Sequence, residues 1–537
     1  MKRNANFIAI LFVAAALCPT PARTASCERL TQIALKDTAI TLAEDVKAGA
    51  FTVTGAGAER LQLFKTLPAF CRVAGVIKPS ADSNINFEVW LPQSGWNGKF
   101  QGVGNGGFAG SINYADGGMA AALSLGYATA STDTGHQGNA VDAKWALGHP
   151  EKITDFGYRA IHLMTQDAQE IVRTFYGRNP RRSYFGSCSN GGRQALMEAQ
   201  RFPADYDGIL AGAPANFWTH LLTEAVWNSQ ATLTDAASYI ARSKLPAIEA
   251  ATLAACDALD GVKDGVIDDP TKCKFDPSTL LCSGPESDVC LTQAQVTALK
   301  KIYAGPRNSR GEQIYPGDFP GAETGRGGWA LWITGPQPRT SLQYSFGTQF
   351  FQNMMFNDPN WDFRTLNFDR DIKPTDNKMA PILNATEANL KDFRDRGGKL
   401  ILYHGWDDAA ISPQNSVNYY RSVVAKMGRQ DADAFLRLYM LPGVQHCDGG
   451  PGPDIPNSLE RLGIGRDPDR DIVSALERWV ERGVAPETII ATKYKAERNP
   501  KSGAARTRPL CPYPQTARYK GAGSTDETAN FVCTVSK

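Results

Sequence analysis

Residues 182–194, Arg-Ser-Tyr-Phe-Gly-Ser-Cys-Ser-Asn-Gly-Gly-Arg-Gln, constrain the fold more than any other stretch of this 537-residue chain. Tyr184 and Phe185 are the apolar pair of a short strand, small residues follow, and residues 194–202 read as a helix with Ala195, Leu196 and Ala199 facing inward. A serine on a tight strand-to-helix turn holds its hydroxyl at the tip. Its neighbours two positions away must be small, because strained backbone there passes close to other chain. Around Ser189 these neighbours are Ser187 and Gly191, so the usual G-x-S-x-G becomes S-x-S-x-G. Free N–H groups at the start of the helix favour an oxyanion beside that hydroxyl. A Gly/Ser loop without chemistry has the same composition, so the rest of the chain has to decide.

Upstream, residues 87–91 and 100–103 read as strands, and the second runs into Gly104-Asn105-Gly106-Gly107-Phe108-Ala109-Gly110. Glycines straight after a strand let backbone N–H groups approach a ligand. One βα unit before the elbow, this loop is placed to form an oxyanion hole from Gly106 and Gly107 together with the N–H of Asn190. Its spacing does not match a dinucleotide-binding G-x-G-x-x-G. A strand over 127–131, a helix over 158–176 and a strand over 206–210 continue the alternation expected of a parallel, doubly wound α/β sheet. The rhythm stops near residue 216 and returns with a strand over 399–403, a helix over 414–427, a strand over 436–441 and a helix over 471–482. Residues 216–380 are therefore expected to be a large lid domain inserted into a catalytic domain of residues 26–215 and 381–537. Trp218, Trp227, Trp329, Trp332, Phe346, Phe350 and Phe351 are concentrated in it. Most of them are expected to be the lid's own core.

A serine needs a base, and the base needs an orienting carboxylate. Of the six histidines, His136, His149, His162, His220, His404 and His446, the last sits just after the final predicted sheet strand, in Pro-Gly-Val-Gln-His-Cys. The acid should lie between serine and histidine, after the preceding strand. Tyr403-His404-Gly405-Trp406-Asp407-Asp408 offers Asp408, with Asp407 as the alternative. No histidine-rich spacing suggests a catalytic metal.

Residues 1–25 read as a signal peptide: Lys2 and Arg3, an apolar run over 7–17, and small residues up to Ala22 and Ala25. No other apolar run is long enough to span a bilayer, and a net charge of +2 gives no footprint for nucleic acid. An exported protein, periplasmic or extracellular, is expected. Export makes the ten remaining cysteines candidates for disulfides. Spacing pairs Cys256 with Cys273, Cys282 with Cys290 and Cys511 with Cys533, and then Cys27 with Cys71. Cys188 and Cys447 are left, one immediately before Ser189 and the other immediately after His446. Their pairing would tie nucleophile to base. Between Cys256 and Asp268, four acids and two glycines share one loop. Side chains of Asp257, Asp260 and Asp264 with carbonyls of Val262 and Val266 make a candidate structural Ca2+ site, although the spacing is not that of an EF-hand.

Cys188-Ser189 with Gly191-Gly192-Arg193-Gln194, Gly405-Trp406-Asp407-Asp408 and His446-Cys447 together resemble the tannase/feruloyl esterase family of secreted α/β-hydrolases, over essentially the whole mature chain. The resemblance implies an α/β-hydrolase fold with the lid inserted between nucleophile and acid segments. It also implies a Ser189–His446–Asp408 triad, a Cys188–Cys447 bridge and one calcium in the lid. The family includes mono(2-hydroxyethyl) terephthalate hydrolases. Ser187 departs from the more usual glycine, and some backbone strain is expected there. The implied activity is hydrolysis of small esters of aromatic, phenolic acids such as feruloyl or galloyl esters, with a terephthalate monoester as the second substrate reading. Ile411 is a candidate for lining the acyl pocket and Arg339 for meeting a substrate carboxylate. From a different class, a non-catalytic calcium-dependent binding protein on a hydrolase scaffold would share the same composition.

Overall fold

The computed structural model describes residues 26–55, 57–115, 118–454, 466–496 and 499–535; the expected signal peptide lies outside them. Nine strands form one sheet in the order β1-β2-β3-β5-β4-β6-β7-β8-β9. They are β1 Thr38–Val46, β2 Phe70–Ile77, β3 Ile85–Pro92, β4 Lys99–Val103, β5 Ala128–Thr132, β6 Arg182–Cys188, β7 Gly208–Gly212, β8 Lys399–Gly405 and β9 Leu436–Leu441. From β5 through β9 all neighbours are parallel. β1, β2 and β3 join antiparallel, with β3 antiparallel to β5.

The parallel part follows from composition. β4 and β7 are buried at every residue, and strands covered on both faces read as short continuous apolar or small-residue runs. One face is packed by the helices Ala160–Tyr176, Asn190–Arg201 and Gln414–Met427, through residues such as Met164, Ile171, Leu196 and Val423. The other face takes Leu476 and Trp479 of the helix Ile472–Arg482 against Leu210, Ile401 and Tyr439.

The sheet is thus mixed rather than wholly parallel. β1 alternates half-buried Thr38, Ile40 and Leu42 with exposed Ala39 and Thr41 and ends in exposed Glu44 and Asp45 before Val46, an edge strand whose pattern carries little apolar signal. The strand expected over 206–210 lies two residues later, because Tyr206 turns into the core with its hydroxyl 2.5 Å from Thr165 Oγ1. Asp207 instead receives the Ser183 N–H on its carboxylate at 2.8 Å. The helix expected from 158 begins at Ala160, after a wider turn over Asp155–Arg159.

Between β7 and β8, among the described residues, the elements are helices, including Trp218–Leu233, Leu245–Cys256, Gln293–Ala304, Leu342–Gln349 and Ile372–Leu383. The ends of this insertion meet: Ala385 N–H donates to Asn216 O at 2.8 Å, and Asn216 Nδ2 to Ala385 O at 3.3 Å. The helix Ile372–Leu383 runs through residue 380. Phe350, Phe351 and Trp218 pack in one apolar cluster that also holds Phe108 and Phe156 of the sheet's loops. Trp329 belongs to a second cluster around Ile248, Leu299 and Ile302.

Candidate active site

β6 ends in Cys188, and the helix Asn190–Arg201 starts one residue after Ser189. Ser189 holds φ +66° and ψ −127°, a region that costs a non-glycine residue about 1–3 kcal/mol and persists only where its surroundings enforce it. The strain sits on Ser189; Ser187 remains in the strand. The small neighbours are required by contact, since a Cβ on Gly191 would stand 1.9 Å from Ser187 Oγ. Ser189 N–H is tied to Gly212 O at 3.0 Å, and Ala215 N–H to Ser189 O at 3.1 Å. The turn is fixed from the next strand.

His446 follows β9. Its Nδ1 lies 2.7 Å from Asp408 Oδ2, and its ring meets Trp332 edge-on at 5.0 Å between centroids. Asp408 receives three further bonds. The N–H groups of Ala410 and Ile411 donate to Oδ1 at 2.8 and 3.1 Å, and His404 Nε2 lies 3.0 Å from Oδ2. His404 Nε2 also faces Ile411 O at 3.1 Å. Carboxylate and carbonyl can only accept, so this nitrogen carries the proton and donates to both. Ser416 Oγ, 2.7 Å from Nδ1, completes the ring's partners. Burial by itself would raise the Asp408 carboxyl, yet the charge of His446 and the bonds from His404 and His446 hold it well below the usual carboxylate range. Asp407 is the opposite case. Burial and the charges of Glu323 and Glu249 push its carboxyl well above that range. Geometry and charge therefore favour Asp408 of the two adjacent acids as the partner of His446.

Cys188 and Cys447 are bonded, with Cα atoms 5.9 Å apart across a sequence separation of 259. The four other bonds are Cys27–Cys71, Cys256–Cys273, Cys282–Cys290 and Cys511–Cys533. Closing a loop of the Cys188–Cys447 length removes about 5 kcal/mol of chain entropy from the unfolded state in the simplest model. Cys447, like Ser189, has a left-handed φ, +68°.

Ser189, Asn190, Gly107 and His446 open onto one narrow slot of about 70 Å3. Its walls are Trp218, Leu221, Leu222, Trp332, Phe346 and Ile411. Larger clefts exist, one of about 850 Å3 beside Phe217 and Tyr419, but serine, imidazole and the elbow meet only in this small one among the cavities described. As the first residue of its helix, Asn190 has no helical acceptor for its N–H. Gly107 has φ +55°, and a Cβ there would lie 2.3 Å from Ala140 O. Gly106 does not line the slot; its carbonyl accepts the Ala109 N–H at 2.9 Å, and it borders the cleft of Asn105 and Ser111. Arg339 is exposed and also stands apart from the slot, in the field of Asp362.

Three more residues hold this arrangement, Arg193 and Gln194 of the elbow motif and Asn105 of the glycine loop. Asn105 donates to Ser111 O and Thr132 O, both at 2.8 Å, while its N–H reaches Gln194 Oε1 at 2.9 Å. Gln194 thereby ties the glycine loop to the helix behind Ser189. Arg193 is fully buried; it donates to Asn190 Oδ1 at 2.8 Å, Gly157 O at 2.8 Å and Leu383 O at 3.3 Å. Burial pushes its guanidinium down to about 9. Their positions in the elbow motif and the glycine loop are legible in the sequence; the bonds they make are not.

A model of the family described as tannase and feruloyl esterase matches residues 71–534. The chain belongs to that family. This esterase is 44% identical to an uncharacterized esterase of Xanthomonas campestris pv. campestris, over 96% of the chain and 92% of the relative. It is 35% identical to the mono(2-hydroxyethyl) terephthalate hydrolase of Piscinibacter sakaiensis, over 87% and 85%. The crystal structure of feruloyl esterase B from Aspergillus oryzae superposes with a TM-score of 0.84 at 30% identity, covering 95% of this chain and 99% of that one. The fold is that of an α/β-hydrolase with its lid inserted between nucleophile and acid segments, and the protein is a carboxylic ester hydrolase. A non-catalytic binding role is not favoured.

In the acidic loop of the esterase's lid, Asp257 accepts the N–H groups of Asp264 and Gly265, each at 3.1 Å. Asp260 accepts from Val262 N–H at 3.0 Å. Asp264 pairs with Arg508 at 2.6 Å and Arg506 at 3.1 Å. Burial, then the charges of Asp264 and Asp257, raise the Asp260 carboxyl. Oxygen donors on one loop are of the kind a divalent cation takes, and Asp264 here already meets two guanidinium groups. Among the described residues, the three-donor groups within 4.8 Å are Cys27–Asp45–Cys71 and His162–Glu198–Asp205 rather than these acids. The first group is spent on a disulfide.

Proposed function

We propose that the chain hydrolyses esters of aromatic, phenolic acids, of the feruloyl or galloyl kind, through an acyl-enzyme. The observation that carries this is the aromatic-walled slot on which Ser189 and His446 both open, with Asp408 bonded behind the imidazole. His446 takes the hydroxyl proton as Ser189 Oγ attacks the ester carbonyl. The N–H groups of Asn190 and Gly107 hold the oxyanion, and Asp408 stabilises the imidazolium. The C–O bond to the alcohol then breaks as His446 protonates the leaving oxygen. That alcohol departs into the polar cleft of about 520 Å3 that also borders His446 and is lined by Arg326, Asp407, Gln445 and Lys493. Water, deprotonated by the same imidazole, releases the acid. A flat ring between Trp218, Trp332 and Phe346 gains apolar burial and stacking.

The acidic loop, through Asp257, Asp260, Asp264 and the carbonyls of Val262 and Val266, is proposed to hold one Ca2+ that stiffens the lid; no chemical step needs it. Five disulfides support export to an oxidising compartment. Among the described residues no helix is long and apolar enough to cross a membrane.

Methyl ferulate, methyl gallate and mono(2-hydroxyethyl) terephthalate, assayed side by side, test the reading. Turnover of the phenolic esters is expected, and Ser189→Ala should lower kcat roughly 10^4-fold or more with the unfolding transition retained. Turnover that survives in Ser189→Ala rejects the nucleophile.

A further inference from the structure

We infer that the slot beside Ser189 accepts uncharged aromatic acyl groups, reads them through the Gln343 amide, and turns away acyl groups bearing a second carboxylate. This rests on the hydrolase reading above and adds a rule of selection to it. Among the residues lining the slot, none is a lysine or arginine. Apart from His446 and the Ser189 hydroxyl, the side chains are apolar, aromatic or neutral amides, so a carboxylate entering the slot loses its water without gaining a fixed counter-charge.

The surroundings supply no counter-charge either. Glu224 lies on the helix Trp218–Leu233 between the wall residues Leu222 and Ala225; it is fully buried, and neither carboxylate oxygen has a partner in the protein. Asp318 is buried beside it, with Oδ1 likewise without a partner. Burial pushes the Glu224 carboxyl well above its usual range and that of Asp318 up to about 8, so the negative charge of this region belongs to Asp408, 2.7 Å from His446 Nδ1. The buried cation in this region is Arg193. It sits 4.8 and 5.1 Å over the rings of Phe156 and Trp218 and directs its N–H groups at Asn190 and at three backbone carbonyls.

Gln343 is held from behind. Asn228 Nδ2 donates to its Oε1 at 2.9 Å, and its own Nε2 donates to Ala409 O at 3.2 Å. Asn228 is anchored in turn on Asp318 Oδ2 at 3.0 Å. A primary amide offers two N–H donors and two lone pairs, so one donor and one acceptor remain for a substrate. Trp218, also on the wall, has a buried indole N–H with no partner in the protein. Two neutral donors and one acceptor fit a ring hydroxyl or ether oxygen.

The test uses the wild-type protein and five esters of one shape class. Methyl 4-carbamoylbenzoate and methyl 4-carboxybenzoate differ in acyl-side charge and little else. Carboxymethyl benzoate puts the same charge on the alcohol, and methyl 4-hydroxybenzoate and methyl benzoate isolate the hydroxyl. The neutral amide should exceed the 4-carboxylate in kcat/KM by about a hundredfold or more, whereas carboxymethyl benzoate stays within about tenfold of methyl benzoate. In Gln343→Leu the preference for the 4-hydroxy ester over the unsubstituted one should fall about tenfold. Because the first comparison needs no variant, a folding defect in Gln343→Leu leaves it standing. Equal rates for amide and carboxylate, or equal rejection of charge on either side of the ester, overturn selection by the slot with the esterase reading intact. An unchanged 4-hydroxy preference in a folded Gln343→Leu removes Gln343 from the account. No turnover of any of the five overturns the esterase reading itself.

Discussion

The two walls of the slot are built in different ways. On the sheet side, Ser189, Asn190 and His446 stand on strand ends, held by strained backbone, by main-chain bonds to the neighbouring strand and by the Cys188–Cys447 bridge. On the lid side, Trp218, Leu221, Leu222 and Phe346 project from helices that reach the loop of Asp408 through a side chain, Gln343 Nε2 to Ala409 O. The first wall fixes where a carbonyl must sit, and a small displacement there costs large factors in rate. The second decides which ring fits, and exchanging one apolar residue for another there changes preference by modest factors.

Substitutions at the acids break this comparison most sharply. Asp408→Asn should lower kcat by roughly 10^4, as loss of the orienting carboxylate does in serine hydrolases. Asp407→Asn, one residue away but not bonded to His446, should cost less than about tenfold by the same reasoning on orientation. Steady-state rates of both variants with a phenolic ester check the pair, and a reversed order would reassign the acid.

The bridges give the next contrast. Cys188→Ser with Cys447→Ser should lower kcat/KM by about a hundredfold through misplacement of nucleophile and base. It should also lower stability by about 2–5 kcal/mol. Cys282→Ser with Cys290→Ser opens a bridge of separation 8 in the lid, and kcat/KM should stay within about twofold by the same positional argument. Ester kinetics and denaturant unfolding measure both. Equal kinetic effects from the two pairs would contradict a positional role for the first.

Removing calcium is the mildest test. A chelator should lower the unfolding midpoint by a few degrees, and added Ca2+ should restore it, as for any ligand bound only by the folded state. At permissive temperature kcat should change little. An unmoved midpoint would withdraw the calcium proposal.

The same contrast explains what could be read from the sequence. The elbow, the glycine loop, the strand before Asp408 and the turn before His446 are local signals, each a few residues of small or apolar type followed by one reactive side chain. The helix Gln414–Met427 and the strand Leu436–Leu441 lie where periodicity places them. β1 and β2 were not legible, because a half-exposed edge strand alternates too weakly and its partner is interrupted by Gly75. His404 was visible only as one histidine among six; its bond to Asp408 depends on a strand end closing on its own loop. Gln343 and Glu224 have no local signature at all, because their place comes from how lid helices settle on the sheet. Arg339 stands apart from the slot for a related reason: a lone arginine in a loop carries no information about the direction it faces.

The central claim is that Ser189 becomes acylated by the substrate. Intact-protein and peptide mass spectrometry after rapid quench with a p-nitrophenyl ester of an aromatic acid tests it directly. One acyl group per chain is expected on the peptide containing Ser189, formed in a burst equal to the protein concentration and missing in His446→Ala. A burst without an adduct on that peptide, or an adduct on another side chain at full activity, would contradict the account.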